Sequence, residues 1–209
     1  MEPTEISALL QPFVSQQKGS VEVDWPRVYD QLASYLDLIL KWNARVNLTA
    51  IREPEEIVRR HFGESLFAGL QLAPCTTLLD FGSGAGFPGL PIQLVRPDVK
   101  VTLGESRHKK AAFLHEVVRM LGLKTEVWSG RVESMEVSRT FDVVTLRAVD
   151  DMESALSAAA QRVRCQMVVL GTAATGIPAG IAGGFREAGR VRIPLSDEGR
   201  IITWDRMER

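Results

Sequence analysis

The sequence predicts an α/β protein in which a helical region precedes a mostly parallel sheet. Three observations support this. Roughly the first 70 residues show helical apolar spacing without a clear strand, short apolar runs then alternate with helical segments, and a glycine cluster follows the first run. Strand–helix alternation with short connections implies parallel strands covered by helices on both faces. We place the helical region at residues 1–72 and the sheet domain at 73–209.

Three helices are predicted in the N-terminal region. The first covers residues 4–16 and is ended by Lys18-Gly19-Ser20. The second begins at Asp24-Trp25-Pro26, because Asp caps a helix and Pro fits its first turn. The third begins at Glu53-Pro54-Glu55-Glu56, where acidic side chains favour a helix N-terminus.

The rest of the chain shows the strand pattern. Five central strands and a closing pair are predicted at residues 77–81, 100–104, 125–128, 141–146, 166–170, 191–193 and 200–204. Helices are predicted over residues 107–121, which Gly122 ends, and 151–163. The glycine-rich stretch 171–184 is either a mobile loop or a poorly formed helix.

Composition excludes several classes of protein. The chain has 209 residues, with 25 basic and 26 acidic side chains and a net charge of -1. The overall charge therefore does not attract a polyanion, and an anionic partner has to bind at a local basic patch. Cys75 and Cys165 show no metal-ligand spacing, and no metal site is expected. The acidic N-terminus is unlike a signal peptide, and no apolar run reaches about 18 residues. We therefore expect a cytoplasmic protein that does not cross a membrane.

The most informative segment is Asp80-Phe81-Gly82-Ser83-Gly84-Ala85-Gly86-Phe87-Pro88-Gly89, between a predicted strand and a helix. Glycines let the backbone approach a ligand closely. Gly84-x-Gly86-x-x-Gly89 matches the dinucleotide pattern, but Asp80 lies where such strands are usually apolar. A carboxylate there disfavours a pyrophosphate and favours a cationic ligand such as S-adenosylmethionine.

Glu105 ends the second predicted strand, about 20 residues after the glycine loop. A carboxylate there accepts both hydroxyl hydrogens of a ribose. This feature is common to NAD and S-adenosylmethionine, so it predicts an adenosine-bearing cofactor without choosing between them. An ordinary solvated helix cap is the alternative for Glu105 alone.

Further motifs run along most of the chain. They are Trp42-Asn43-x-x-x-Asn47-Leu48-Thr49, Arg60-His61, Glu64-Ser65, Phe87-Pro88-Gly89-x-Pro91, Glu105-Ser106-x-x-Lys109-Lys110-x-x-Phe113-Leu114, Arg131-Val132-Glu133 and Arg147-Ala148. Together they resemble the RsmG (GidB) family of methyltransferases, which methylate guanine N7 in 16S ribosomal RNA. The first motif and the tail of the glycine loop are specific to that family.

The resemblance implies a Rossmann-like class I methyltransferase fold with a seven-stranded sheet. It implies S-adenosylmethionine as cofactor and S-adenosylhomocysteine as product. The predicted cofactor contacts, from the residues and the resemblance together, are Asp80, Gly82, Gly84, Gly86, Phe87, Glu105, Ser106, Val132, Glu133 and Arg147. The implied partner is 16S ribosomal RNA or the small ribosomal subunit, bound by a monomer. The alternatives are an S-adenosylmethionine-binding RNA-binding protein without turnover and a methyltransferase acting on another RNA guanine.

Guanine N7 carries a free lone pair, so methyl transfer to it requires no general base and we expect no catalytic base. Arg147 is predicted to position the substrate by holding guanine O6. A surface ion pair with Asp150 or Asp151 is its structural alternative. The chain departs from the family after the fifth strand, where Leu170-Gly171-Thr172 lacks the usual lysine.

RNA contact requires basic side chains on one face. Two groups are predicted to supply them: Arg59, Arg60 and His61 in the third helix, and Arg107, Lys109 and Lys110 before or within the helix that follows Glu105. For each group, a solvated charged helix face is the alternative.

Overall fold

A computed structural model describes residues 1–15 and 22–207. Its sheet has seven strands: β1 Thr77–Phe81, β2 Lys100–Glu105, β3 Glu126–Ser129, β4 Phe141–Arg147, β5 Val163–Thr172, β6 Phe185–Arg192 and β7 Gly199–Arg206. The strand order is β3-β2-β1-β4-β5-β7-β6. Strands β1 to β5 are parallel, whereas β7 pairs antiparallel with β5 and β6. The predicted mostly parallel, seven-stranded sheet is confirmed.

The helices flank this sheet and fill the N-terminal region. They are α1 Pro3–Val14, α2 Trp25–Asn43, α3 Pro54–Glu56, α4 Glu64–Gln71, α5 Gly89–Val95, α6 His108–Met120, α7 Met152–Ala160 and α8 Ala179–Ala182. A π-helical stretch, Ile57–Gly63, connects α3 to α4, and a 3-10 turn covers Val132–Ser134.

The helix starts follow the expected chemistry. The Asp24 side chain accepts a hydrogen bond from the Arg27 backbone N–H at 3.2 Å and caps α2. The predicted third helix is present as α3, the π-helical stretch and α4 in succession. Residue 16 of the first predicted helix, and the Lys18-Gly19-Ser20 break, lie outside the described residues.

The N-terminal helices share an apolar core with one face of the sheet. Leu36 of α2 and Phe62 of the π-helical stretch belong to the same buried cluster as Leu78 and Leu103. Leu79 follows Leu78 on β1 and points to the other face, where α7 covers a second cluster. The proposed boundary between residues 72 and 73 therefore crosses a common core, and it stays a prediction.

The C-terminal strands are longer than predicted. Strand β5 continues to Thr172, and β6 begins at Phe185. Much of β6 is exposed at the sheet edge and polar, with Arg186 and Glu187 facing solvent, so its apolar alternation is weak. The glycine-rich stretch 171–184 consists of the end of β5, a loop and the short helix α8. No helix among residues 1–15 and 22–207 has the length and apolar character of a membrane span.

Candidate functional site

A cavity of about 430 Å³ opens at the carboxyl ends of β1, β2 and β4. Strand β1 pairs with β2 on one side and β4 on the other, so the strand order reverses there. Ligands of open α/β sheets bind at such a switch point. Ten of the residues predicted to contact cofactor or RNA line the cavity: Gly82, Gly84, Phe87, Glu105, Ser106, Arg147, Arg60, His61, Arg107 and Lys110.

The glycine loop has the backbone geometry that its sequence predicts. Gly82, Gly84 and Gly86 have φ angles of 73°, 59° and 95°, which residues with a Cβ rarely adopt. Gly82 and Gly84 face the cavity. Gly86 instead faces the core, where an added Cβ would collide with Tyr35 and Leu90. Gly86 was predicted to contact the ligand. In the structure it allows close packing against Tyr35 and Leu90 instead.

Asp80 is not at the mouth of the loop, which corrects the expectation for it. Its side chain is fully buried. One carboxylate oxygen accepts from the Thr145 hydroxyl at 2.9 Å, and the other accepts from the Gly89 backbone N–H at 3.1 Å. Burial raises the pKa of Asp80 to about 6, against the hydrogen bonds that lower it. The carboxylate fixes the start of α5 relative to β1 and does not reach the cavity.

Glu105 lies where the ribose acceptor was predicted. Its Oε2 accepts from the Gly84 backbone N–H at 2.9 Å, and its Oε1 accepts from the Arg107 backbone N–H at 2.7 Å. Each oxygen retains a lone pair, so the carboxylate is still able to accept two hydroxyl hydrogens. The same bonds connect the loops after β1 and β2.

Arg147, at the end of β4, makes a cluster of contacts with the N-terminal region. Its guanidinium donates to the Glu64 carboxylate at 2.7 Å, to the Arg60 carbonyl oxygen at 2.8 Å and to His61 Nδ1 at 2.9 Å. The His61 ring stacks on Phe87 at a centroid distance of 4.6 Å. The alternative of a surface ion pair is wrong for Arg147, because Glu64 is its partner. Asp150 pairs with Arg107 instead.

Burial and neighbouring cations set the protonation of this cluster. Burial, Arg147 and Arg60 lower the pKa of His61 to about 3, so its ring is neutral at physiological pH. Burial raises the pKa of Glu64, and the two arginines oppose that rise. Sequence reasoning missed Glu64 as a partner of Arg147, since 83 residues separate them along the chain.

Several predicted residues lie apart from the cavity. Val132 is buried against Gly104, where a Cβ would come within 2.5 Å of Val132 Cγ2. Glu133 lines a separate depression with Asp151 and Glu153. Arg59 forms an exposed ion pair with Glu55 at 3.1 Å, and Lys109 is exposed on α6. The described ranges contain no group of three or more side chains suited to a metal ion.

Comparison with known proteins identifies the family. Residues 28–174 match the family GidB, described as rRNA small subunit methyltransferase G. The chain belongs to this family. It is 44% identical over 131 residues to ribosomal RNA small subunit methyltransferase G of Clostridium perfringens, covering 59% of this chain and 55% of that protein. It is 43% identical over 134 residues to the Chromobacterium violaceum protein of the same name, covering 64% of each chain.

The solved structures agree on the fold. The mitomycin 7-O-methyltransferase MmcR superposes with a TM-score of 0.59 at 15% identity, covering 98% of this chain and 72% of that one. The fold is therefore that of the class I methyltransferases, as expected. The matched segments span about 55% to 64% of the length of the curated relatives.

The buried Asp80 carboxyl should make stability depend on pH. Its pKa is about 6 in the fold against an ordinary value of 3.8, so the unfolded chain ionises first as pH rises. Its contribution to stability is complete below pH 4 and should fall by about 3 kcal/mol between pH 4 and 7. Asp80→Asn keeps an acceptor for Gly89 and a partner for Thr145, and should remove this fall. Urea unfolding at pH 4, 5, 6 and 7 measures the free energy of unfolding of both proteins. An equal change of this free energy with pH in the two proteins would contradict the prediction.

Removing Glu64 should destabilise the protein far more than removing an exposed acid. The Glu64 and Arg147 side chains are only 14% and 12% exposed, so Glu64→Ala leaves a buried cation unpaired and should cost about 3 kcal/mol. The control is Glu55→Ala, which breaks an exposed pair with Arg59 and should cost about 0.5 kcal/mol or less. Urea unfolding at pH 7 measures both. Equal losses of unfolding free energy in the two variants would contradict the expected cost of leaving Arg147 without its counter-ion.

Proposed function

We propose that this protein transfers the methyl group of S-adenosylmethionine to N7 of a guanine in 16S ribosomal RNA. The observation that carries the proposal is the cavity at the β1–β4 switch point. It joins Glu105 and the glycine loop on one side to the Arg147–His61 cluster on the other. Membership of the rRNA small subunit methyltransferase G family supports the substrate class, and the family implies N7.

The cavity fits an adenosine-bearing cofactor. Glu105 offers both oxygens to a ribose, and Gly82 and Gly84 let the backbone approach without a Cβ. The volume of about 430 Å³ lies in the range of small-molecule sites. Phe87 and Ser106 complete this side of the cavity. When bound, the cofactor supplies a methyl group on a positively charged sulfur.

The site has the chemistry that transfer to a free lone pair requires. Guanine N7 loses no proton, so the residues need to align the two substrates and exclude water, which can lower the barrier by roughly 7–11 kcal/mol. His61 is unsuited to act as a base, because its Nδ1 accepts from Arg147, and partial burial and the neighbouring arginines lower the pKa of its ring. Arg147 engages both Nη2 protons and one Nη1 proton, leaving its Nε–H and one Nη1–H for a ligand oxygen such as guanine O6.

Basic residues surround the mouth of the cavity. Arg60 lines it from the N-terminal region, and Arg107 and Lys110 line it from the side of β2. Arg59 and Lys109 extend these two groups along their helices. This arrangement supports RNA binding across the cavity, with phosphates contacting both groups.

The experiment incubates the protein with methyl-labelled S-adenosylmethionine and small-subunit RNA, and then maps the modified guanines. Glu105→Ala should weaken S-adenosylmethionine binding at least tenfold, because two hydrogen bonds to a charged acceptor are lost. Calorimetry measures the affinity. Glu198→Ala, which removes an exposed acid far along the sequence, should leave it unchanged. Cofactor binding without methylation would favour the RNA-binding alternative, and binding of NAD instead would overturn the proposal.

Binding to RNA should depend steeply on salt and on Lys109. Each neutralised phosphate releases counterions, so Lys109→Ala should weaken binding and reduce the log–log salt slope by about 1. Lys124→Ala carries the same charge change beyond the other end of α6 and is the matched control. Filter binding to a small-subunit RNA transcript over a salt series measures both slopes. Identical slopes for the two variants would remove Lys109 from the RNA-binding face.

A further inference from the structure

Three side chains form a hydrogen-bonded chain along one wall of the cavity. Arg147 Nη1 lies 2.9 Å from His61 Nδ1, and His61 Nε2 lies 2.7 Å from Thr49 Oγ1. All three residues line the cavity. The chain therefore connects the end of β4 to the loop that follows α2.

The direction of these hydrogen bonds is fixed by Arg147. A guanidinium has only donors, so His61 Nδ1 must accept and carries no proton. A neutral imidazole then has its single proton on Nε2, and Nε2–H donates to Thr49 Oγ1. Partial burial and the nearby charges of Arg147 and Arg60 lower the pKa of His61, which agrees with this neutral state.

Thr49 Oγ1 receives a second hydrogen bond. The Ile51 backbone N–H donates to it at 3.2 Å. A hydroxyl oxygen has two lone pairs and one proton, so both acceptor positions are filled and only the proton remains. Within residues 1–15 and 22–207, no acceptor for that proton is found. Thr49 is half-buried and lines the cavity.

The first sequence motif explains why Thr49 is held so firmly. Asn43 Oδ1 accepts from the backbone N–H groups of Leu48 and Thr49 at 2.9 and 3.2 Å. Asn43 Nδ2 donates to the Thr49 carbonyl oxygen at 3.0 Å. The amide of Asn43 is buried and fixes the backbone of Thr49 on both sides of its Cα. The hydroxyl thus has a fixed position and a fixed polarity.

We propose that the Thr49 hydroxyl is an obligatory hydrogen-bond donor to an oxygen atom of the ligand in this cavity. The inference rests on the proposed function. Apart from the ribose oxygens assigned to Glu105, its two substrates offer two candidate acceptors: the methionine carboxylate of the cofactor and O6 of the guanine. An amino group offers no acceptor here. If O6 is the partner, Thr49 therefore favours guanine over adenine, whose amino group stands at the same ring position.

The test compares Thr49→Val, which has nearly the same shape and no hydroxyl, with Thr49→Ser, which keeps the hydroxyl. Calorimetry measures binding of S-adenosylhomocysteine and of its decarboxylated analogue. Methylation of small-subunit RNA gives kcat/KM. Thermal melting of each variant accompanies both assays.

Two results support the proposal and identify the acceptor. If the acceptor is the carboxylate, Thr49→Val weakens the binding of S-adenosylhomocysteine at least tenfold and leaves the affinity for the decarboxylated analogue unchanged. If it is O6, Thr49→Val leaves both affinities unchanged and lowers kcat/KM for RNA at least tenfold. In either case Thr49→Ser stays within threefold of the unaltered protein.

Three results would overturn the proposal. The first is that Thr49→Val behaves like the unaltered protein in both assays, and the second is that Thr49→Ser is as defective as Thr49→Val. The third is that Thr49→Val weakens the binding of both cofactor analogues equally. The last result shows a displaced loop and no specific hydrogen bond. An unaltered protein that neither binds S-adenosylhomocysteine nor methylates RNA refutes the proposed function instead, so the two failures are distinguishable.

Discussion

The guanidinium of Arg147 is the group on which the site depends. It stands at the end of β4, and its partners all belong to the N-terminal region: the Glu64 carboxylate, the Arg60 carbonyl oxygen and the His61 ring. A buried cation needs both a counter-ion and hydrogen-bond acceptors, since desolvation is otherwise costly. The N-terminal region supplies them, and in return the guanidinium fixes where that region meets the sheet. These contacts add to the shared apolar core in holding the two parts of the chain together along the cavity wall.

The π-helical stretch Ile57–Gly63 makes this arrangement possible. Short π-helical segments are uncommon and occur often at functional sites. Here the stretch carries both the Arg60 carbonyl that accepts from Arg147 and the His61 ring that stacks on Phe87. Its end is closely packed against α1, because a Cβ on Gly63 would lie 2.6 Å from the Phe13 ring. The first helix thus supports the wall of a cavity that it does not line.

The sequence predicted the sheet well because buried parallel strands are short apolar runs, as in residues 77–81, and because the glycine loop follows the first of them. It placed Glu105 beside the glycine loop, since the spacing from the loop carries that information, and the ribose contact stays a prediction. It misplaced Asp80, because nothing local distinguishes a carboxylate at a loop mouth from one buried against Thr145 and Gly89. The contacts of Arg147 with Glu64 and His61 join residues more than 80 positions apart, and no local pattern encodes them.

Two ion pairs beside the cavity differ in exposure, and the difference suits the proposed methyl transfer. Arg107 and Asp150 are 3.4 Å apart with side chains 67% and 94% exposed, and such pairs contribute about 0–1 kcal/mol. Their contact is therefore easily opened by an entering ligand. The Glu64–Arg147 pair is buried and shares its cation with two further acceptors, so it resists such a change. In-line transfer needs reacting atoms held within a narrow geometry, yet the product must leave after each turnover. A firmly held Arg147 and a weakly paired Arg107 are compatible with both requirements of the proposed transfer.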